Sequence, residues 1–245
     1  MEGVSFCPKP WLYSAYPRAM IKASIIITCY NKERYITRAI NSCINQNFPE
    51  DQFEVIVVDD ASTDKSRDAI SLYEGLGSFI KIKYLKKNGG PSHASNVGIA
   101  MARGKYIVRV DGDDYIHKDF IRVMTEVLEW NEDVGFVYCD LITVRSLGGV
   151  TERKLARNTH ERLLDHGAGV MFRKKYLKAI KGYDEGLRNC EDYDLILRYE
   201  QRYIGWHLRL PYYRYFREGS ALSVKLKERE ELKKKIRARL SKKKK

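Results

Sequence analysis

Ser24-Ile25-Ile26-Ile27-Thr28 is a short β-branched apolar run that reads as a strand buried on both faces. Arg34 to Asn45 follows, with Ile36, Ile40 and Ile44 at i, i+4 and i+8, the single apolar stripe of a helix. This strand-helix unit recurs. Glu54 to Val58 (EVIVV) is a second buried strand, and Ala61-Ser62-Thr63 leads into a helix from Asp64 to Tyr73. Ile80 to Leu85 is a third strand, and Asn88-Gly89-Gly90-Pro91-Ser92 is a tight turn in which Ser92 is placed to cap a helix ending at Met101. Tyr106 to Val110 is a fourth strand, His117 to Trp130 a helix and Val134 to Cys139 a fifth strand. Four such units within the first 140 residues predict an α/β fold: a Rossmann-like, mostly parallel sheet covered by helices on both faces. In such sheets ligands bind beyond the carboxyl ends of the strands.

Beyond residue 140 the periodicity loosens. Leu141 to Val150 reads as a hairpin or an excursion, Ala168 to Phe172 as a strand, and Tyr193 to Tyr203 as a helix. A short strand at Trp206 to Leu210 precedes the aromatic run Tyr212-Tyr213-Arg214-Tyr215-Phe216. Residues 1 to 20, rich in proline and aromatics without periodicity, read as an extended arm. With no repeat and no linker, the chain reads as one domain over 1–224. A nucleotide-type lobe (1–140) and a smaller substrate lobe (141–224) precede a basic tail at 225–245.

Composition narrows the classes. Hydrophobic residues at 44% of 245 exclude a disordered chain. Five cysteines without a CxxC pattern exclude a disulfide miniprotein and a zinc or iron-sulfur site, and point to a reducing compartment. No apolar run approaches the roughly 20 residues of a membrane span, and the first residues lack the order of a signal peptide, so a soluble, cytoplasmic protein is expected. Of the net charge of +13, residues 225–245 hold +9, with 12 basic and 3 acidic residues, so the rest carries only +4. That argues against a nucleic-acid partner. Leu222, Leu226, Leu232, Ile236 and Leu240 form an imperfect stripe along the tail, which reads either as a solvated basic helix or as an attachment to an anionic membrane surface.

The residues able to do chemistry cluster at strand ends. Thr28, Tyr30, Asn31 and Glu33 follow the first strand, either as a binding lip or as an ordinary loop. Asp59 and Asp60 end the second; their side chains point opposite ways, so one caps the next helix while the other faces the crevice. Asp111-Gly112-Asp113-Asp114 is the sharpest signal. Three carboxylates in four residues repel unless a cation or a set of donors offsets them, and oxygen-only ligands suit Mg²⁺ or Mn²⁺ with diphosphate oxygens completing the shell. Glu191-Asp192 opens a helix, as ordinary capping or as a general base. No GxxxxGK[ST] and no GxGxxG is present, so any phosphates are held by a bound cation rather than by a glycine-rich loop.

Taken in order, Ile25-Ile26-Ile27-Thr28-Cys29-Tyr30-Asn31, Val57-Val58-Asp59-Asp60-Ala61-Ser62-Thr63-Asp64, Asn88-Gly89-Gly90 through Asn96-Val97-Gly98, Asp111-Gly112-Asp113-Asp114 and Glu191-Asp192 resemble the family 2 glycosyltransferases. His166 to Arg173, followed by Gly182-Tyr183-Asp184-Glu185, is similar to that family's middle segment. The resemblance implies a GT-A fold and an inverting transfer from a nucleoside-diphosphate sugar, UDP before GDP, to a hydroxyl of a glycan or lipid-linked acceptor. By the same resemblance Thr28, Tyr30, Asn31, Glu33, Asp59 and Asp60 line the base and ribose pocket, and Asn88 to Asn96 border the nucleotide. Asp111 contacts ribose or metal, Asp113 holds the divalent cation, and Asp192 is the base that deprotonates the acceptor. Two positions depart from the family: Ser95, where arginine is frequent, and Arg217, where histidine is frequent, which leaves Arg217 a diphosphate partner or Glu218 a metal ligand. The rival readings are a sugar nucleotidyltransferase and a binding protein for nucleotide sugars or polyanions without turnover.

Overall fold

The structure is a computed structural model and describes residues 20–147, 150–157, 159–218 and 226–242. The aromatic arm therefore lies outside the described residues except for Met20, as do Leu222 and the last three lysines. In chain order the first elements are β1 (Ala23–Cys29), α1 (Ile36–Ile44), β2 (Phe53–Asp59), α2 (Ser66–Ser71), β3 (Ile80–Tyr84), α3 (Pro91–Met101), β4 (Tyr106–Asp111), β5 (Tyr115–Ile116) and α4 (Phe120–Trp130). There follow β6 (Val134–Leu147), β7 (Val150–Ala156), α5 (His160–His166), β8 (Val170–Arg173), α6 (Lys174–Ala179), α7 (Glu191–Glu200), β9 (Ile204–Glu218) and α8 (Leu226–Lys242).

The nine strands of the described residues join one sheet, in the order β3-β2-β1-β4-β8-β6-β9-β5 with β7 on the flank of β6. The parallel expectation holds for β3-β2-β1-β4. It fails beyond β4: β8 runs antiparallel between β4 and β6, β7 is antiparallel to β6, and only β6 with β9 restores a parallel pair. The sheet is mixed. The physical cause is β8, a short strand of four buried residues that inserts between β4 and β6 and runs antiparallel to both. The separate strand and aromatic run expected at 206–216 are one long strand, β9, and Leu141 to Leu147 is the arm of β6 that pairs with β7 as a hairpin.

Two apolar layers sandwich the sheet. Ile25, Ile27, Val55 and Val57 pack with Ile36 and Ile40 of α1 and Phe120 and Met124 of α4. Ile26, Ile56 and Val58 point the other way, against α3 and, further along, α7 and α8. Strict alternation of β1 and β2 between two buried layers is why both strands read as continuous apolar runs. Ser92 is not the helix cap: Gly90 holds that place at φ 87°, and Ser92 Oγ donates to Leu187 O at 2.8 Å.

The tail is part of the body. Ile236 and Leu240 are 2% and 6% exposed, on α7, while Arg239 donates to Asp184 at 2.7 Å and to Asp194. Lys233 and Arg237 lie over the ring of Tyr193. Ile236 and Leu240 of the apolar stripe thus pack on α7, while basic residues of α8 such as Lys234 and Lys235 are exposed.

At the sheet end away from the strands' carboxyl termini, buried Glu54 accepts from Ser24 Oγ (2.7 Å), Lys81 Nζ (2.9 Å) and both Arg103 N and Nε. Burial alone would raise its pKa; these donors outweigh it and bring it from 4.5 to about 2. Its contribution to stability is present above the unfolded value and is lost as pH falls toward 2. Glu54→Gln sets an amide N–H₂ against those donors, and denaturant melts should show a loss of about 2–3 kcal/mol. A loss under about 0.5 kcal/mol would remove Glu54 as an anchor.

Candidate active site

The principal cleft, about 410 Å³, opens at the carboxyl ends of β1, β2 and β4. Of the residues singled out from sequence, Thr28, Tyr30, Asp60, Asn88, Asp111 and Asp113 line it. Asp60 accepts from Gly89 N and Gly90 N, both at 2.8 Å, and from Asn88 Nδ2 at 3.0 Å, so it fixes the glycine turn as well as facing the cleft. Thr28 Oγ1 lies 3.4 Å from Asp111 Oδ1, tying the ends of β1 and β4.

Four expected pocket residues do not line the cleft. Asp59 is fully buried, accepting from Ser62 N and from Arg67 Nε at 2.7 Å, because alternation along β2 turns it from the side Asp60 faces. Asn31 and Glu33 staple the loop after β2: Asn31 Oδ1 accepts from Thr63 N and Glu33 Oε2 from Lys65 N. Asn96 bonds the backbone of Tyr183 in both directions and Glu185, and so fastens α3 to the loop before α7. These are the scaffold of the rim. Asn31, Ala61 and Cys190 all adopt positive φ (53°, 60° and 59°), a region that asparagine tolerates and that is uncommon for the other two.

In the acidic turn the carboxylates separate by role. Asp114 is buried, accepting from Tyr213 Oη at 2.8 Å and Phe216 N at 2.7 Å, which ties the turn to β9. Burial, then Asp111 and Asp113, hold its carboxyl well above the usual range. Asp111 and Asp113 keep side chains 34% and 22% exposed, and Lys32 Nζ is seated on Asp113 Oδ2. Burial would lower the Lys32 pKa; Asp113 outweighs it and raises it. Arg38 supports the turn from α1, donating to Asp113 O at 2.7 Å.

Among the described residues no group of three or more His, Cys, Asp or Glu is placed to hold a metal ion. The two carboxylates at the cleft are an all-oxygen pair, suited to a hard divalent cation that takes its remaining ligands from phosphate and water. Lys32 places a positive charge at the same carboxylate.

Arg109 was missed in the sequence, although an arginine inside the otherwise apolar strand Tyr106 to Val110 is itself a signal, since buried charges are kept only when paired. It lies at the centre of the site. Its Nη2 donates to Asp192 Oδ2 at 2.8 Å and approaches Asp111 at 3.3 Å, and Nη1 is 3.6 Å from Glu191. Asp192, 7% exposed, sits behind the cleft wall, and of the pair at the mouth of α7 it is Glu191 that lines the cleft. Tyr183 Oη donates to Asp192 Oδ1 over a long 3.3 Å. Burial raises the Asp192 pKa to about 7, Arg109 opposing and Glu191 and Asp111 assisting. A Cβ on Gly167, at φ 53°, would sit 2.6 Å from Asp192 Cγ, so the backbone of Gly167 closes on this carboxylate.

Ser95 bonds its own helix, Oγ to Pro91 O, and brings no charge; Arg188 lines the cleft in addition to Lys32 and Arg109. Arg217 is not in this cleft but in a neighbouring cavity, so it is not placed against a diphosphate here. The side chain of Glu218 lies outside the described residues.

The fold is shared with solved glycosyltransferases. The TarS fragment 1–349 of Staphylococcus aureus, in complex with UDP-GlcNAc, superposes with a TM-score of 0.67 at 27% identity, covering 83% of this chain and 61% of that one. The mannosyltransferase PcManGT of Pyrobaculum calidifontis, solved with GDP-Man and Mn²⁺, shares the fold at TM-score 0.66 and 19% identity, over 88% of this chain and 62% of that one. The model of glycosyl transferase family 2 matches residues 24–181, and the chain belongs to that family. In sequence it is 41% identical over 104 residues to the poly(ribitol-phosphate) beta-N-acetylglucosaminyltransferase TarS of S. aureus, 42% of this chain and 18% of that protein. It is 28% identical over 207 residues to the hyaluronan synthase of Pasteurella multocida, 82% of this chain and 21% of that protein. The chain therefore spans about a fifth of these relatives.

Proposed function

We propose that the chain is an inverting glycosyltransferase of GT-A type that moves a sugar from a nucleoside-diphosphate sugar to a hydroxyl of a glycan or lipid-linked acceptor. The observation that carries this reading is the convergence on Arg109 of Asp111, from the acidic turn, and of Glu191 and Asp192, from the mouth of α7. Thr28, Tyr30, Asp60 and Asn88 surround the base and ribose. Asp111 and Asp113 would hold a Mg²⁺ or Mn²⁺ ion, which when bound supplies positive charge to the departing diphosphate. Asp192 takes the proton of the acceptor hydroxyl at Oδ1, which Arg109 leaves free and Tyr183 Oη reaches only at 3.3 Å, and attack opposite the leaving group inverts the anomeric carbon. UDP is the preferred nucleotide, because the TarS fragment was solved with UDP and with UDP-GlcNAc.

Residues 1–140 form the donor lobe in this reading and 141–224 the acceptor lobe, with β9 returning Tyr215 and Phe216 to the donor cleft. A thermal-shift screen of nucleoside diphosphates and their sugars, followed by an assay for UDP release, tests the function; stabilisation by no nucleotide would refute it.

We place the protein in the cytoplasm, peripheral to an anionic membrane. Among the described residues no helix is long and apolar enough to cross a bilayer. The exposed lysines of α8, such as Lys234 and Lys235, offer on the order of 1 kcal/mol each near anionic lipid. Co-sedimentation with anionic vesicles at low salt should be lost on reversing these two charges to Glu. Unchanged sedimentation would leave α8 as a packing element only.

A further inference from the structure

A second cavity, about 350 Å³, lies on the three-stranded corner made by β7, β6 and β9. Register puts its side chains in rows. Thr143 stands between Lys154 and Tyr215, and one pair further along Arg145 stands between Glu152 and Arg217. Residues opposite one another, and two apart along a strand, share a face, so all six line one floor.

Arg145 beside Arg217 is a like-charge pair on adjacent strands, a juxtaposition that destabilises a sheet. One carboxylate, Glu152, faces three cations. Arg217 Nε is buried and without a hydrogen-bond partner among the described residues, while its guanidinium lies 5.4 Å from the centre of the Tyr215 ring. Tyr215, with His166 stacked on it at 4.9 Å, lines this cavity and the donor cleft alike. Two arginines opposite one another in register on one cavity floor, one with an unspent buried donor, match an oxyanion.

We propose that this cavity is an acceptor subsite for an anionic group, a phosphate or carboxylate carried by the chain that receives the sugar. Its role in accepting sugar rests on the glycosyltransferase reading; its affinity for an oxyanion does not. UDP binding to the full chain is read first by calorimetry. The chain, with UDP saturating where it binds, is then titrated with glycerol 3-phosphate, with glucuronate and with glucose as the neutral control. At least one anion should bind more tightly than glucose, and the tighter of the two identifies the group. Arg145→Gln and Arg217→Gln should each weaken that anion by about tenfold or more, with UDP affinity within about twofold and partial recovery in Arg145→Lys. Anion affinity no better than glucose, or unchanged in the exposed-site variant Arg145→Gln, would overturn the subsite. Failure of UDP to bind while the arginine-dependent anion binding persists would instead overturn the donor reading and leave the subsite standing.

Discussion

Asp192→Asn is expected to reduce sugar transfer by about a thousandfold while UDP affinity stays within about threefold, because a general base contributes to the transition state and not to nucleotide binding. The asparagine keeps the shape and the hydrogen-bond acceptor for Arg109 but cannot take a proton. Glu191→Gln is the decisive companion, since Glu191 lines the cleft and Asp192 sits behind it. If the Glu191 variant loses the thousandfold and the Asp192 variant does not, the base is Glu191 and Asp192 is a support for Arg109. The pH profile carries an independent signature. With its pKa raised to about 7, Asp192 is protonated and inactive as a base below that value, so kcat should climb through about pH 7 and level off above it. Arg109 lowers that pKa against burial, so Arg109→Gln should move the rising limb to higher pH.

Stripping divalent cations with a chelator should weaken UDP binding by about a hundredfold, and Asp113→Asn should do the same in the presence of metal. The physical basis is charge. A diphosphate brought against Asp111 and Asp113 is repelled unless a cation stands between them. Lys32 supplies an internal rival, already seated on Asp113. If binding is indifferent to chelation and collapses in Lys32→Ala, the lysine holds the diphosphate and the metal assignment falls.

How much of this was legible in the residues differs between elements. The buried strands β1, β2 and β4 announce themselves because a strand covered on both faces carries a run of consecutive apolar residues at its centre, and α1 because Ile36 and Ile40 keep helical spacing. Asp60, Asp111 and Asp113 were legible because strand order alone tells which end of a parallel sheet collects a ligand. Asp59, Asn31, Glu33 and Asn96, which the family resemblance implies as pocket residues, lie beside the pocket as its scaffold. A carboxylate or amide at a loop serves a ligand or a neighbouring loop equally well, and only the packed partner distinguishes the two.

Local sequence determined the strand-helix units, the acidic turn and the amphipathic character of the tail, since each depends on spacing within a few residues and on burial of apolar faces. Tertiary structure decided that β8 enters antiparallel beside β4, that α8 folds its stripe onto α7, that Arg109 bridges Asp111 to Asp192, and that Arg145 meets Arg217. Apart from the local reach of Arg109 to Asp111, these contacts join residues 63 or more positions apart, or helices whose partner is unspecified by their own pattern. Which surfaces meet is set by the shape and charge of both together, and no stretch of chain carries that information alone.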